Sequence, residues 1–212
     1  MSRLPGRALA AVALAALLAG CGGPGATTDR SASRPSDPES SASSASSAPP
    51  AAKSVPALGR SVPVGLRIPA IGVDTPVMKL GLAADGTVQV PPIAAHDRAG
   101  WYEHSPTPGQ SGPSVILGHV TVGAYGDGVF RHLADLKQGA KIEVSRADGT
   151  AAEFAVTKVE TVAKAEFPSD EVYGNVDRPE LRLITCGGPR TGDGYQDNVI
   201  VFATLGSAAA KH

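Results

Sequence analysis

The sequence predicts a mostly β domain, built as a small closed or nearly closed barrel. Three observations point there. Short runs rich in β-branched and aliphatic residues recur from about residue 61 to residue 205. Glycine and proline, 25 and 18 across the 212 residues, punctuate the gaps between those runs. Segments with helical periodicity are few and short. A set of many short strands must protect its edges, and closure does so. A β-sandwich is the second architecture that the pattern allows.

The strands are taken in chain order. Residues 64–68 alternate ahead of Pro69, and residues 72–80 make a second β-rich stretch. Residues 87–90 give a short one. Residues 114–119 carry Val115-Ile116-Leu117, a continuous apolar run suited to a buried strand. Residues 142–145 and 153–162 flank Asp148-Gly149, a hairpin turn signal. Residues 181–185 alternate around Arg182, and residues 198–204 are rich in β-branched side chains. A short helix is expected over 129–136, where Val129, Leu133 and Leu136 share one face, with Asp127 placed to cap it. A second helical turn is expected over 169–173, started by Ser169-Asp170-Glu171.

The N-terminal flank reads as an export segment. Arg3 and Arg7 precede an apolar run over residues 8–19 that is too short for a comfortable membrane span. The run ends in Leu18-Ala19-Gly20-Cys21, which resembles a bacterial lipobox and predicts a lipid on Cys21. An ordinary signal peptide or an uncleaved anchor are the alternatives. All three put the rest of the chain outside the cytoplasmic membrane, at the cell envelope. Residues 22–60 are dominated by Ser, Ala, Pro and Gly and bury too little apolar surface to offset ordering. They are expected to form a disordered stalk that lifts the domain off the bilayer. The resulting organisation is a signal segment over 1–21, a stalk over 22–60, one folded domain over 61–206 and a tail over 207–212. The formal net charge of -1 and the lack of a basic stripe argue against nucleic acid as a partner.

The chain has two cysteines. With Cys21 lipidated, Cys186 is the one thiol left, unpaired in an oxidising setting, and catalysis explains its presence best. It follows Leu181-Arg182-Leu183-Ile184-Thr185, and His119 follows Val115-Ile116-Leu117-Gly118. Both are expected at strand ends, where a firm scaffold holds them and adjacent glycines let a substrate backbone approach. Free thiols are mostly protonated at neutral pH, and a nearby imidazolium or guanidinium favours the thiolate.

These residues carry a family resemblance. The segments are Gly118-His119-Val120, Val129-Phe130, Leu133, Leu136 and Gly139, then Phe167-Pro168 and Val172-Tyr173-Gly174. Further on come Leu181 through Gly188, Tyr195, and Asp197-Asn198-Val199-Ile200-Val201. Together with Ala99-Gly100-Trp101-Tyr102 they resemble a bacterial sortase, closest to the actinobacterial class F group. The resemblance implies an eight-stranded sortase β-barrel with short helices and a long loop. It implies cysteine transpeptidation on a Leu-Pro-x-Thr-Gly-like sorting signal, cut between Thr and Gly through a thioester on Cys186. It gives His119 the proton transfers and needs no cofactor or metal. The partners implied are secreted proteins with a C-terminal sorting signal and an amine acceptor such as a cell-wall precursor, with water giving hydrolysis instead.

Sortases also place an arginine near the cysteine, and a guanidinium suits charge on a tetrahedral oxygen. Class F enzymes carry it in a Phe-Asp-Arg stretch after Cys-Gly-Gly. This chain reads Cys186-Gly187-Gly188-Pro189-Arg190-Thr191-Gly192, which makes Arg190 the match. Arg182 is the rival, at an even spacing from Cys186 on one predicted strand. Arg131 reads as a surface residue of the short helix. His96, His104 and His132 form no metal-ligand spacing. Trp101 and Tyr102 are expected to anchor the long segment over residues 91–113, while Asp197 and Asn198 serve turn geometry. Two other readings compete: another wall enzyme with a cysteine nucleophile, such as an L,D-transpeptidase, and a non-catalytic surface-binding lipoprotein.

Overall fold

The structure is a computed structural model that describes residues 55–192 and 194–210, the segment 207–210 by its backbone alone. Cys21, the signal segment over 1–21 and the stalk up to residue 54 lie outside the described residues, as do residues 211–212 of the tail.

Among the described residues, ten strands and one short α-helix follow one another. They are β1 (Pro63–Ile68), β2 (Val73–Leu80), β3 (Ala99–Tyr102), β4 (Gly112–Leu117), β5 (Thr121–Val122), β6 (Gly126–Asp127), β7 (Lys141–Arg146) and β8 (Thr150–Ala163). Helix α1 (Ser169–Tyr173), β9 (Pro179–Thr191) and β10 (Gly194–Ala210) complete the set. Eight strands close a barrel in the order β1-β2-β3-β4-β9-β10-β8-β7, and β5 and β6 pair separately. The β2–β3 and β4–β9 pairs are parallel. This is the eight-stranded closed barrel that the resemblance implies.

Alternation along the strands fills the barrel. Leu66, Ile68, Ile116, Ile142, Val144, Phe154, Leu181, Leu183, Val199 and Val201 pack inward with Trp101 and Phe130. Each such burial stabilises the fold by roughly 1.5–3 kcal/mol. The opposite face of β4, β9 and β10 is covered as well. There Val115, Ile184, Ile200 and Phe202 pack against Val172 of α1 and against Phe167. Burial on both faces explains the unbroken apolar runs of β4 and β9.

Arg182 stands inside that second layer, only 3% exposed. It pairs with Glu180, lies 4.6 Å from the Phe202 ring centre, and donates from Nε to the Glu171 carbonyl at 3.2 Å. These contacts tie α1 to β9.

Four sequence expectations differ from the structure. Residues 87–90 form no strand; one isolated bridge joins Leu82 and Val88, and Val90 is exposed. The helix expected over 129–136 is a chain of tight turns, with a 3-10 turn at Leu133–Asp135. Its amides bond three residues back, Leu133 to Phe130 and Leu136 to Leu133. The apolar spacing still found the buried side chains, since Phe130, Leu133 and Leu136 all join the core. Asp127 caps no helix and instead pairs with Arg131. The fourth difference is β3, which arises in the expected long segment because β2 and β4 supply its hydrogen-bond partners. A Cβ at Gly100 would lie 2.4 Å from Leu80, so only glycine fits there.

The packed region is also longer than the 61–206 range. Leu58 donates from its amide to Gly109 at 2.8 Å, and Val55 and Leu58 pack on the core. At the other end β10 pairs with β8 as far as Ala210.

Candidate active site

The parallel β4–β9 pair brings two segments far apart in sequence to the same end of the barrel. Leu117 registers with Ile184, and the Gly118 amide donates to the Ile184 carbonyl at 3.1 Å. β4 ends there, and His119 follows Leu117 by two residues as Cys186 follows Ile184. Strand alternation puts Cys186 on the side of Ile184 and Arg182, the outer face of the barrel. Cys186 is a free, half-buried thiol.

Cys186 does not end its strand, contrary to the sequence expectation. β9 continues to Thr191 and turns into β10, with Asn198 directly across from Cys186. The two glycines after it serve the chain's own packing. A Cβ at Gly187 would meet Val199 at 2.6 Å, and one at Gly188 would lie 1.9 Å from the Asp197 carboxylate. Gly188 also has φ +70, a left-handed conformation that glycine adopts freely. Both glycines also line the cleft beside Cys186.

His119 lies beyond the end of β4, with its ring oriented by a loop. Its Nε2 is 2.6 Å from the Pro91 carbonyl oxygen. A carbonyl only accepts, so the proton sits on Nε2 and the neutral ring keeps Nδ1 as its basic atom. The His119 carbonyl accepts from the Phe130 amide at 2.9 Å, which joins the turns after β6 to the same corner. No sequence signal marks the Pro91 contact, because it depends on how the 81–98 loop folds back to His119.

Cys186 borders a cleft of about 270 Å³, walled in part by Thr185, Tyr195, Val199, Phe130 and Arg131. Val120 is also in its wall, whereas the imidazole of the neighbouring His119 is not. Tyr195 braces this corner: its hydroxyl is 2.7 Å from Thr121 Oγ1. The exposed Arg190 guanidinium lies 5.8 Å from the Tyr195 ring centre, so Tyr195 connects Arg190 to the cleft. Arg182 shares the Cys186 side of β9, as its spacing predicts, but is about 13 Å away along the strand and faces Glu180.

Arg131 is exposed, as expected of a surface residue, but its place beside Cys186 is not legible in the sequence. It lines the Cys186 cleft, with Nε held 3.1 Å from Asp127 Oδ1. No sequence pattern marks it, because its position follows from Phe130 and Leu133 plugging the barrel. The three remaining histidines lie in separate settings. His96 stacks near Tyr125, His104 near Tyr102, and His132 bonds Asp135. Among the described residues, no group of three His, Cys, Asp or Glu side chains is arranged to hold a metal. No helix among them is long and apolar enough to cross a membrane.

Comparison with known proteins adds to this geometry. The family described as Sortase domain matches residues 66–206. SrtA sortase from Actinomyces oris is 26% identical, with a TM-score of 0.54, over 78% of this chain and 89% of that one. Listeria monocytogenes sortase A is 19% identical, with a TM-score of 0.52, over 71% of this chain and 92% of that one. Streptococcus pneumoniae Sortase C is 20% identical, with a TM-score of 0.53, over 70% of this chain and 68% of that one. The latter two show likeness of fold. No curated protein matches the chain.

Proposed function

The chain belongs to the sortase family of cysteine transpeptidases, and we propose that it cuts a Leu-Pro-x-Thr-Gly-like sorting signal between Thr and Gly. Cys186 Sγ attacks the threonine carbonyl carbon. His119 protonates the departing glycine amine, the carbon–nitrogen bond breaks, and the acyl group remains on Cys186 as a thioester. An acceptor amine then attacks the thioester, gives its proton to His119, and expels the sulfur. Water in the same place gives hydrolysis. Arg190 faces the oxygen that becomes negative in each tetrahedral intermediate, as a charged fork brought in by the β9–β10 hairpin.

The observation that supports this reading is the parallel pairing of β4 and β9 up to Leu117 and Ile184, with His119 and Cys186 each two residues further along. The membership of the actinobacterial class F group and the lipid on Cys21 belong to the same reading. So does the division into a signal segment, a stalk and a catalytic domain. A lipid on Cys21 holds the enzyme on the outer face of the membrane, beside secreted substrates and wall precursors. Replacing Cys21 with Ala then releases the protein from the membrane fraction, and unchanged association rejects the lipid anchor.

The direct test mixes the protein with a sorting peptide and reads the mass of the adduct. A threonyl thioester on Cys186, absent in Cys186→Ala with the barrel still folded, supports the assignment. Turnover that survives in Cys186→Ala rejects it.

A further inference from the structure

We propose that Arg131 reads the acceptor: the cleft beside Cys186 takes an amine nucleophile that carries a nearby carboxylate, as at the end of a short peptide. This rests on the thioester reading above and specifies its second half-reaction.

Arg131 is the one charged side chain in the wall of the cleft. Asp127 holds its Nε at 3.1 Å. That leaves the two terminal nitrogens as a pair of donors, with no other protein partner among the described residues. A carboxylate matches such a pair in shape and charge.

A second observation points independently to a ligand. Thr185 lines the same cleft, is 4% exposed, and its hydroxyl bonds nothing among the described residues. A buried hydroxyl left without a partner costs about 1–3 kcal/mol, which a polar atom of a bound molecule offsets. Much of the remaining wall is apolar, with Phe130 and Val199 in it, while the Arg131 side chain is 47% exposed and reachable from solvent. At about 270 Å³ the cleft is compact, just below the roughly 300–1,000 Å³ of sites for drug-sized ligands.

The two flanks of Cys186 differ in a way that assigns the cleft to the acceptor. Toward the start of β9 the outer face is apolar, with Ile184, Leu117, Tyr102 and Phe167. It suits the Leu-Pro part of the acyl group. The cationic cleft lies at the other flank, where the leaving amine departs and the acceptor enters. In the transfer step the acceptor nitrogen bonds the thioester carbon and the carbon–Sγ bond breaks with its electron pair going to sulfur. The surplus proton on nitrogen passes to His119 Nδ1. The Arg131 fork holds the carboxylate during this exchange and takes no part in bond making.

The test uses the full chain, a sorting peptide, and two acceptors that differ in one group, glycylglycine and glycylglycine amide. Transfer is scored against hydrolysis per free amine. The unsubstituted enzyme is expected to favour the carboxylate acceptor roughly tenfold, the scale of a hydrogen bond to a charged group. Arg131→Gln should bring the ratio to about one by raising KM for glycylglycine. Arg131→Lys, which keeps the charge and loses the fork, should fall between. Equal use of both acceptors by the unsubstituted enzyme overturns the proposal, as does an Arg131→Gln enzyme that keeps the preference. Slowing of thioester formation by the same factor as transfer also overturns it, because the guanidinium would then act on the tetrahedral oxygen. If no thioester forms on Cys186 at all, the reading beneath it falls too, and that outcome is recognised by mass before any acceptor is added.

Discussion

Two arginines stand four residues to either side of Cys186 on one strand, and their surroundings are opposite. Arg182 is buried under α1, paired with Glu180 and laid over Phe202. Arg190 is exposed on the hairpin and laid against Tyr195. Equal spacing and equal charge therefore lead to different work. The half of β9 inside the barrel wall has both faces covered, so a guanidinium there must be neutralised by a neighbour. The half beyond Cys186 leaves the wall, and a guanidinium there keeps its donors exposed.

That contrast can be broken from its centre outward. Cys186→Ala, between the two arginines, should lower peptide turnover on the order of 10⁴-fold or more, measured with a sorting peptide. Arg190→Lys keeps the charge and should lower acyl transfer by about 10²–10³-fold with an unchanged Tm. A near-normal rate would move the role to another guanidinium. Arg182→Met should do the reverse and act on stability. It leaves the buried Glu180 with Arg178 as its remaining ion-pair partner, a loss of about 3 kcal/mol and a fall in Tm of about 6–12 °C. If Arg182→Met melts normally but fails to form the thioester, the two assignments are exchanged. Gly188→Ala forces a side chain into a left-handed position against Asp197 and should cost about 1–3 kcal/mol by chemical denaturation. Tyr195→Phe keeps the ring beside Arg190 and loses the bond to Thr121, a change of about 0.5–1.5 kcal/mol. A larger loss in activity than in stability for Tyr195→Phe would show that the brace also sets the angle of the hairpin.

The strands that sequence patterns reveal are those whose reasons are local. Asp148-Gly149 makes its own turn, with the Asp148 carboxylate accepting from the Thr150 amide at 3.0 Å and from its hydroxyl at 2.7 Å. β4 and β9 announce themselves by continuous apolar runs. His119 and Cys186 are legible because each follows such a run. β3 is hidden, since a stretch as short as Ala99–Tyr102 is a strand only between β2 and β4. The turns after β6 mimic a helix because Phe130, Leu133 and Leu136 must reach one core, whichever backbone carries them. Even spacing correctly put Arg182 on the side of Cys186, yet spacing carries no information about Glu180, Phe202 and the Glu171 carbonyl meeting there. The Pro91 carbonyl and Arg131 were invisible for the same reason: each reaches the site only after distant segments have packed.

β10 is the last strand among the described residues, yet it lies between β8 and β9 in the middle of the wall. A polypeptide leaving an export channel N-terminus first therefore presents Cys186 before the strand that will flank it has emerged. Tyr195 and Val199 arrive later still, so the sulfur has no finished cleft during translocation. Such distant pairings form slowly, because large loops must close before they are rewarded. A chain halted before β10 emerges therefore leaves the Cys186 side of β9 without its neighbouring strand.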